Sequence, residues 1–116
     1  VKVMNYIFDG CESLVSLNIT NFNTSNIVSM DNMFSNCLSL EYLNLSSFNT
    51  NKVISMNYLF NNCKSLKSID LSSFNTSLTT TMHSMFSGCN SLTSLEINNF
   101  NTSSVKIMAY LFNDCH

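Results

Sequence analysis

Cys11, Cys37, Cys63, Cys89 and Cys115 follow one another at a single unvarying interval, each twenty-six places after the last. Met4, Met30, Met56, Met82 and Met108 keep the same interval, as do Phe8, Phe34, Phe60, Phe86 and Phe112. Phe22, Phe48, Phe74 and Phe100 recur in phase too, each followed by Asn-Thr. No insertion or deletion breaks the register. Self-similarity at a fixed period of this length is the mark of stacked supersecondary units that bury a continuous core only together.

Each unit contains two local patterns. In Met82-x-x-Met85-Phe86-x-x-Cys89 the apolar residues fall at i, i+3, i+4 and i+7, the spacing of one helical face. This predicts a short helix that packing must hold, because so few turns are marginal alone. In Leu92-x-x-Leu95-x-Ile97 the period falls to two, the spacing of a short strand with one buried side. Ser72 through Thr76 supply turn-forming residues, and the chain returns at Val53, Val105 and their counterparts. The expected fold class is α/β: a leucine-rich-repeat-type solenoid with a narrow parallel β-sheet on one face and short stacked helices on another. It reads as a single domain over residues 1–116, of about four and a half units. No atypical, polar-faced capping unit stands at Val1 or His116, so the expectation is a fragment of a longer array, with end-to-end association as the other reading.

Composition narrows the function classes. Charged residues are only 10% of the chain, there is no Arg, and Asn, Ser and Thr fill 48 positions, so the surface is neutral and rich in amides and hydroxyls. The five Lys are scattered and the net charge is −2, which offers no basic patch for nucleic acid. No apolar run is long enough for a membrane helix.

The fuller unit, Met-Phe-x-x-Cys-x-Ser-Leu-x-x-Leu-x-Leu-x-x-Phe-Asn-Thr-Ser, resembles the BspA-like leucine-rich repeats, also called the DUF285 group, along the whole chain. That resemblance implies a secreted or cell-surface protein that mediates adhesion to protein or glycan ligands on host or neighbouring cells. Units of that group commonly carry Asp where this chain has Asn23, Asn49, Asn75 and Asn101. Stacked carboxylates would repel one another, whereas amides can hydrogen-bond up a ladder, so a structural amide column is expected here and not a cation site.

Few residues could carry chemistry. The cysteines lack the short spacing of a zinc site, their number is odd, and ladder neighbours have parallel side-chain vectors that suit no disulfide. They are expected to be a buried column of free thiols. His83 is expected on the solvent side of a helix, and His116 merely ends the chain; neither has the neighbours of a catalytic triad. Nothing calls for a metal or cofactor, and no enzymatic constellation is present. Asp70 and Glu96 should stand side by side on an open sheet, without the water-excluding cleft that paired-carboxylate catalysis needs.

That open face carries the candidate binding residues. Its positions vary while the core columns stay fixed: Ser16, Tyr42, Ser68 and Ser94; Asn18, Asn44, Asp70 and Glu96; Thr20, Ser46, Ser72 and Asn98. Tyr42, Asn44, Ser68, Asp70, Ser94 and Glu96 are the expected partner-binding residues, with Tyr42 as the aromatic anchor. A structural spacer or end-to-end self-assembling filament segment is the rival function. Five Asn-x-Ser/Thr sequons, at Asn18, Asn23, Asn44, Asn75 and Asn101, are what so much Asn, Ser and Thr produces by coincidence.

Overall fold

The computed structural model describes residues 2–115, which leaves Val1 and His116, both named above, outside the described residues. Segments one repeat period apart lie side by side and parallel. β1 (Ser16–Leu17) pairs with β2 (Tyr42–Leu43), Ser16 opposite Tyr42. β3 (Ser68–Ile69) pairs with β4 (Ser94–Leu95), Ser68 opposite Ser94. The expected narrow sheet is therefore two separate two-stranded pairs. Between β2 and β3 the backbones remain neighbours, but the flanking bond from the Lys67 N–H to the Glu41 carbonyl is stretched to 3.4 Å. A second column, Val3, Ser29, Ser55, Thr81 and Ile107, is joined by a parallel bridge between every successive pair.

The short helices are absent: among the described residues there is no helix, and residues 31–36 and their equivalents are consecutive turns. The apolar positions face inward as the i, i+3, i+4, i+7 spacing required, with Met30, Met33, Phe34 and Cys37 all fully buried. The backbone, however, follows another path. Met33, Ser35 and Cys37 donate their N–H three residues back, to Met30, Asn32 and Phe34. Met30, Asn32, Phe34 and Asn36 donate instead to Ser55, Asn57, Leu59 and Asn61 of the next unit, at 2.8–3.2 Å. Alternate N–H groups thus serve the local turn and the neighbour.

This ribbon needs two left-handed residues per unit. The first set is Tyr6, Asn32, Tyr58, Ser84 and Tyr110, with φ of 52–61°. The second is Gly10, Asn36, Asn62, Gly88 and Asp114, with φ of 55–74°. A right-handed helix tolerates neither, since the left-handed state costs a typical side chain about 1–2 kcal/mol. The second set consists wholly of Gly, Asn and Asp, the residues that bear this conformation best. At Gly88 a methyl group would also strike the Oδ1 of Asn62 in the unit below. Asn62 Nδ2 donates in turn to Asn36 Oδ1 at 3.0 Å, a single amide-to-amide bond in this column, whereas the amide ladder expected at Asn23 and its equivalents is not formed.

The core is a set of ladders. Phe8, Phe34, Phe60, Phe86 and Phe112 stack with ring centroids 5.5–5.7 Å apart and planes within 16° of parallel. Ile27 and Val53 complete the interior at the return, where Thr79 takes the next place with its hydroxyl on the Val53 carbonyl at 3.0 Å.

At Asn23, Asn49, Asn75 and Asn101 the side chain turns back on its own loop. Each Oδ1 accepts the N–H two residues on, from Ser25, Asn51, Ser77 and Ser103. These are Asx turns, which need only an acceptor, so an Asp would serve equally. The inter-unit bonds at this corner come from buried threonines. Thr50 Oγ1 accepts the Asn75 N–H at 2.8 Å and donates to the Asn75 carbonyl at 3.0 Å. Thr76 repeats this with Asn101. Thr50→Val keeps the shape but leaves both Asn75 groups unpaired. It should lower stability by about 1–3 kcal/mol, measured by urea unfolding, whereas Thr50→Ser should retain most of it.

Candidate functional site

The two strand pairs present their outward side chains on one surface, because alternate residues of a strand face opposite ways. Tyr42, Asn44, Ser68, Asp70, Ser94 and Glu96 are all exposed there, above buried Leu43, Leu45, Ile69 and Leu71. Two shallow grooves run over them. One, of about 660 Å³, is lined by Ser16, Asn18, Tyr42, Asn44, Ser68 and Asp70 among others. The other, of about 360 Å³, lies between Ser68, Asp70 and Ser72 on one unit and Ser94, Glu96 and Asn98 on the next. The expected residues are brought together, Asp70 and Glu96 lining one groove.

Their roles within that surface differ. Asn44 Oδ1 accepts the Ser46 N–H at 3.0 Å, and Asp70 Oδ1 accepts that of Ser72 at 2.9 Å. Both side chains are committed to Asx turns that shape the strand exit. The Ser72 hydroxyl, and after it the Ser72 N–H, hold the Asp70 carboxyl below the usual carboxylate range. Glu96, one methylene longer, occupies the equivalent position on an exposed site. Tyr42 is 56% exposed, and its ring lies beneath Lys67 Nζ at 5.5 Å from the centroid. Lys67 also pairs with Glu41 Oε2 at 2.7 Å. Sequence reasoning missed this Glu41–Lys67–Tyr42 cluster. The signal was a pair of opposite charges one repeat period apart, which a stacked register makes neighbours.

The cysteine column is present as free thiols. Cys37, Cys63 and Cys89 are fully buried, while Cys11 and Cys115 are half-buried. The Sγ atoms of Cys37, Cys63, Cys89 and Cys115 each donate to the carbonyl of Phe8, Phe34, Phe60 and Phe86, at 3.0–3.2 Å. Burial above all pushes the thiols up, Cys37 to about 11 and Cys89 to about 12, with Cys63 raised as well. Such groups are poor nucleophiles, since the thiolate is the reactive form.

His83 does not lie on a helix facing solvent. It is half-buried in the turn ribbon, its ring edge-on between Tyr58 and Tyr110 at 5.1 and 5.6 Å. The His83 backbone N–H donates to Asn57 Oδ1 at 2.8 Å. Among the described residues no helix is long and apolar enough to cross a membrane.

A family model described as "Mycoplasma protein of unknown function, DUF285" matches residues 2–116. No curated protein and no solved structure matches the chain.

Two outcomes test this geometry. Native alkylation followed by mass spectrometry at mildly alkaline pH should label Cys11 and Cys115 first and leave Cys37, Cys63 and Cys89 unmodified until the protein is unfolded. Carboxyl NMR should place Asp70 below an ordinary Asp. Because its folded value is depressed, its contribution to stability is present above the unfolded value and is lost as pH falls through the folded one. Asp70→Asn, which keeps the acceptor, should remove that part of the acid dependence and preserve the fold.

Proposed function

The chain belongs to the DUF285 family, and from that premise we propose that it is a non-enzymatic binding module of the BspA-like leucine-rich-repeat type. In this reading it is displayed outside the cell and engages a protein or glycan ligand through the open strand face. The observation that carries this is a contrast within each unit. Inward columns repeat Met, Phe, Cys and Leu almost unchanged, while the exposed row above them changes from Ser16 to Tyr42 to Ser68, and Glu96 replaces the turn-holding acceptors Asn18, Asn44 and Asp70. Packing has no use for that variation, and a stack of units can encode a partner only where its surface varies. Tyr42 supplies an amphipathic ring already oriented by Lys67, the kind of side chain that anchors interfaces.

The rival reading is a stiff spacer. It draws on the Phe column and the bridge column, which run without a break from the first unit to the last. A screen of the chain against extracellular matrix proteins and host glycans separates the two. The expected result is a ligand whose affinity falls at least tenfold in Tyr42→Ala and in Glu96→Ala, both exposed positions that leave the core intact. No binding, or binding indifferent to both changes, would favour the spacer.

A further inference from the structure

A third outward surface lies on the return segment. Lys2, Val28, Ile54, Thr80 and Lys106 form one row down the stack, each N–H from Val28 onward donating to the carbonyl of the preceding member at 2.7–2.9 Å. Two places earlier in each unit runs a second column, Asn26, Lys52, Leu78 and Ser104. Between the two columns Ile27, Val53 and Thr79 turn into the core, so the residues on either side of them face outward. Ile54 and Leu78 are 48% and 55% exposed. Both belong to interior units with neighbours above and below, so theirs is not the exposure of an uncovered end. Cations frame them: three of the five lysines, Lys2, Lys52 and Lys106, stand in these two columns, and no carboxylate does. Lys52 Nζ donates to the neutral Asn26 amide at 2.8 Å, which leaves its charge uncompensated. Asp31, on the adjoining ribbon, is half-buried and accepts the Ser55 hydroxyl at 2.6 Å and the Asn57 N–H at 2.7 Å.

We propose that this strip docks the protein on an anionic phospholipid surface, the lysines meeting separate phosphate headgroups and Ile54 and Leu78 reaching between them. The pattern selects the occupant. A soluble polyanion is best met by contiguous cations, whereas here the cations are spread out and the middle of the strip is aliphatic. Neighbouring segments of a parallel ladder lie about 4.8 Å apart, so Lys2 and Lys106, four steps apart, are separated by on the order of 20 Å. A plane of independent headgroups satisfies cations so dispersed, and its acyl boundary accepts the aliphatic side chains. Lysine suits that boundary too, because its stem lies along apolar surface while the ammonium reaches the phosphate. The net charge of −2 does not oppose docking. Glu41, Asp70 and Glu96 stand on the strand face with the buried core between them and the strip, and charges beyond about 8 Å are largely screened at physiological ionic strength. The inference does not rest on the reading of the strand face, which stays free in this arrangement, and the two are tested apart.

The test is co-sedimentation of the chain with vesicles of phosphatidylcholine alone and of phosphatidylcholine mixed with phosphatidylglycerol. The mixed vesicles should carry the protein down and added salt should release it, while the neutral vesicles should leave it in solution. Lys52→Gln combined with Lys106→Gln should weaken binding about tenfold, since each lysine near an anionic surface contributes about fivefold. Ile54→Ser combined with Leu78→Ser should weaken it at least threefold at unchanged charge, which separates a lipid surface from a soluble polyanion. All four positions are exposed, so the thermal midpoints of both variants should stay at the wild-type value. Tyr42→Ala, on the strand face, should bind vesicles as wild type does. Equal sedimentation with neutral vesicles, or none with mixed ones, would overturn the proposal. So would full binding by the variant altered at Ile54 and Leu78, and retention of that variant on dextran sulfate would assign the strip to a soluble polyanion instead.

Discussion

Among the described residues, each unit before the last gives half the N–H donors of its turn ribbon to the unit that follows. Asn32, Phe34 and Asn36 send their N–H groups to Asn57, Leu59 and Asn61, and Tyr58, Phe60 and Asn62 send theirs to His83, Met85 and Ser87. A unit standing alone would leave these N–H groups to water and its apolar stripe uncovered, so nothing would hold its turns in place. Order therefore resides in the contact between units. The same constraint explains why no helix forms where the apolar spacing resembles one. An isolated helix of this length is marginal in water, whereas a ribbon with a neighbour satisfies both sets of N–H groups.

Polar side chains extend that logic to positions the ribbon cannot reach. Thr50 and Thr76 bridge to the carbonyl and N–H of the following unit, and the cysteine thiols add a second bond, from the next unit, to Phe carbonyls that already accept the cysteine N–H of their own unit. Among the described residues no buried side-chain nitrogen or oxygen is left without a partner. Cysteine is well suited to its column, being small and apolar enough for a close stack yet able to donate a weak bond. Burial in turn removes the reactivity for which a cysteine would ordinarily be singled out.

The inward columns were legible from periodicity, since any backbone path that repeats at this period must align Met30 with Met56 and Phe34 with Phe60. Which path it takes was not legible from apolar spacing, because the ribbon buries the same four positions as two helical turns. The sign that distinguishes them was present in polar residues: Gly10, Asn36, Asn62, Gly88 and Asp114 form a column that tolerates positive φ and little else. The companion column hides the signal, because three of its five members are tyrosine. On the strand face, alternation placed Tyr42, Asp70 and Glu96 correctly. It could not tell that Asn44 and Asp70 commit their side chains to their own turns, since an Asx turn and an exposed ligand group look alike in a sequence.

That distinction redraws what the surface can offer a partner. Side chains that hold a turn are constrained in chemistry, needing an acceptor at one fixed place, and Asn18, Asn44 and Asp70 all meet that requirement. Variation among them is largely substitution of one acceptor for another. Side chains without such a duty vary for other reasons. Tyr42 on the strand face, and Tyr6, Tyr58 and Tyr110 on the ribbon, are the large rings in positions where the backbone asks for no ring. The ribbon tyrosines even oppose the local preference. A stack that reuses one interior makes such departures conspicuous, because each unit is a control for its neighbours: Asn32 and Ser84 show that the position folds without an aromatic. Function in this architecture is therefore to be sought where a unit differs from the next at an exposed position that neither packing nor turn geometry prescribes.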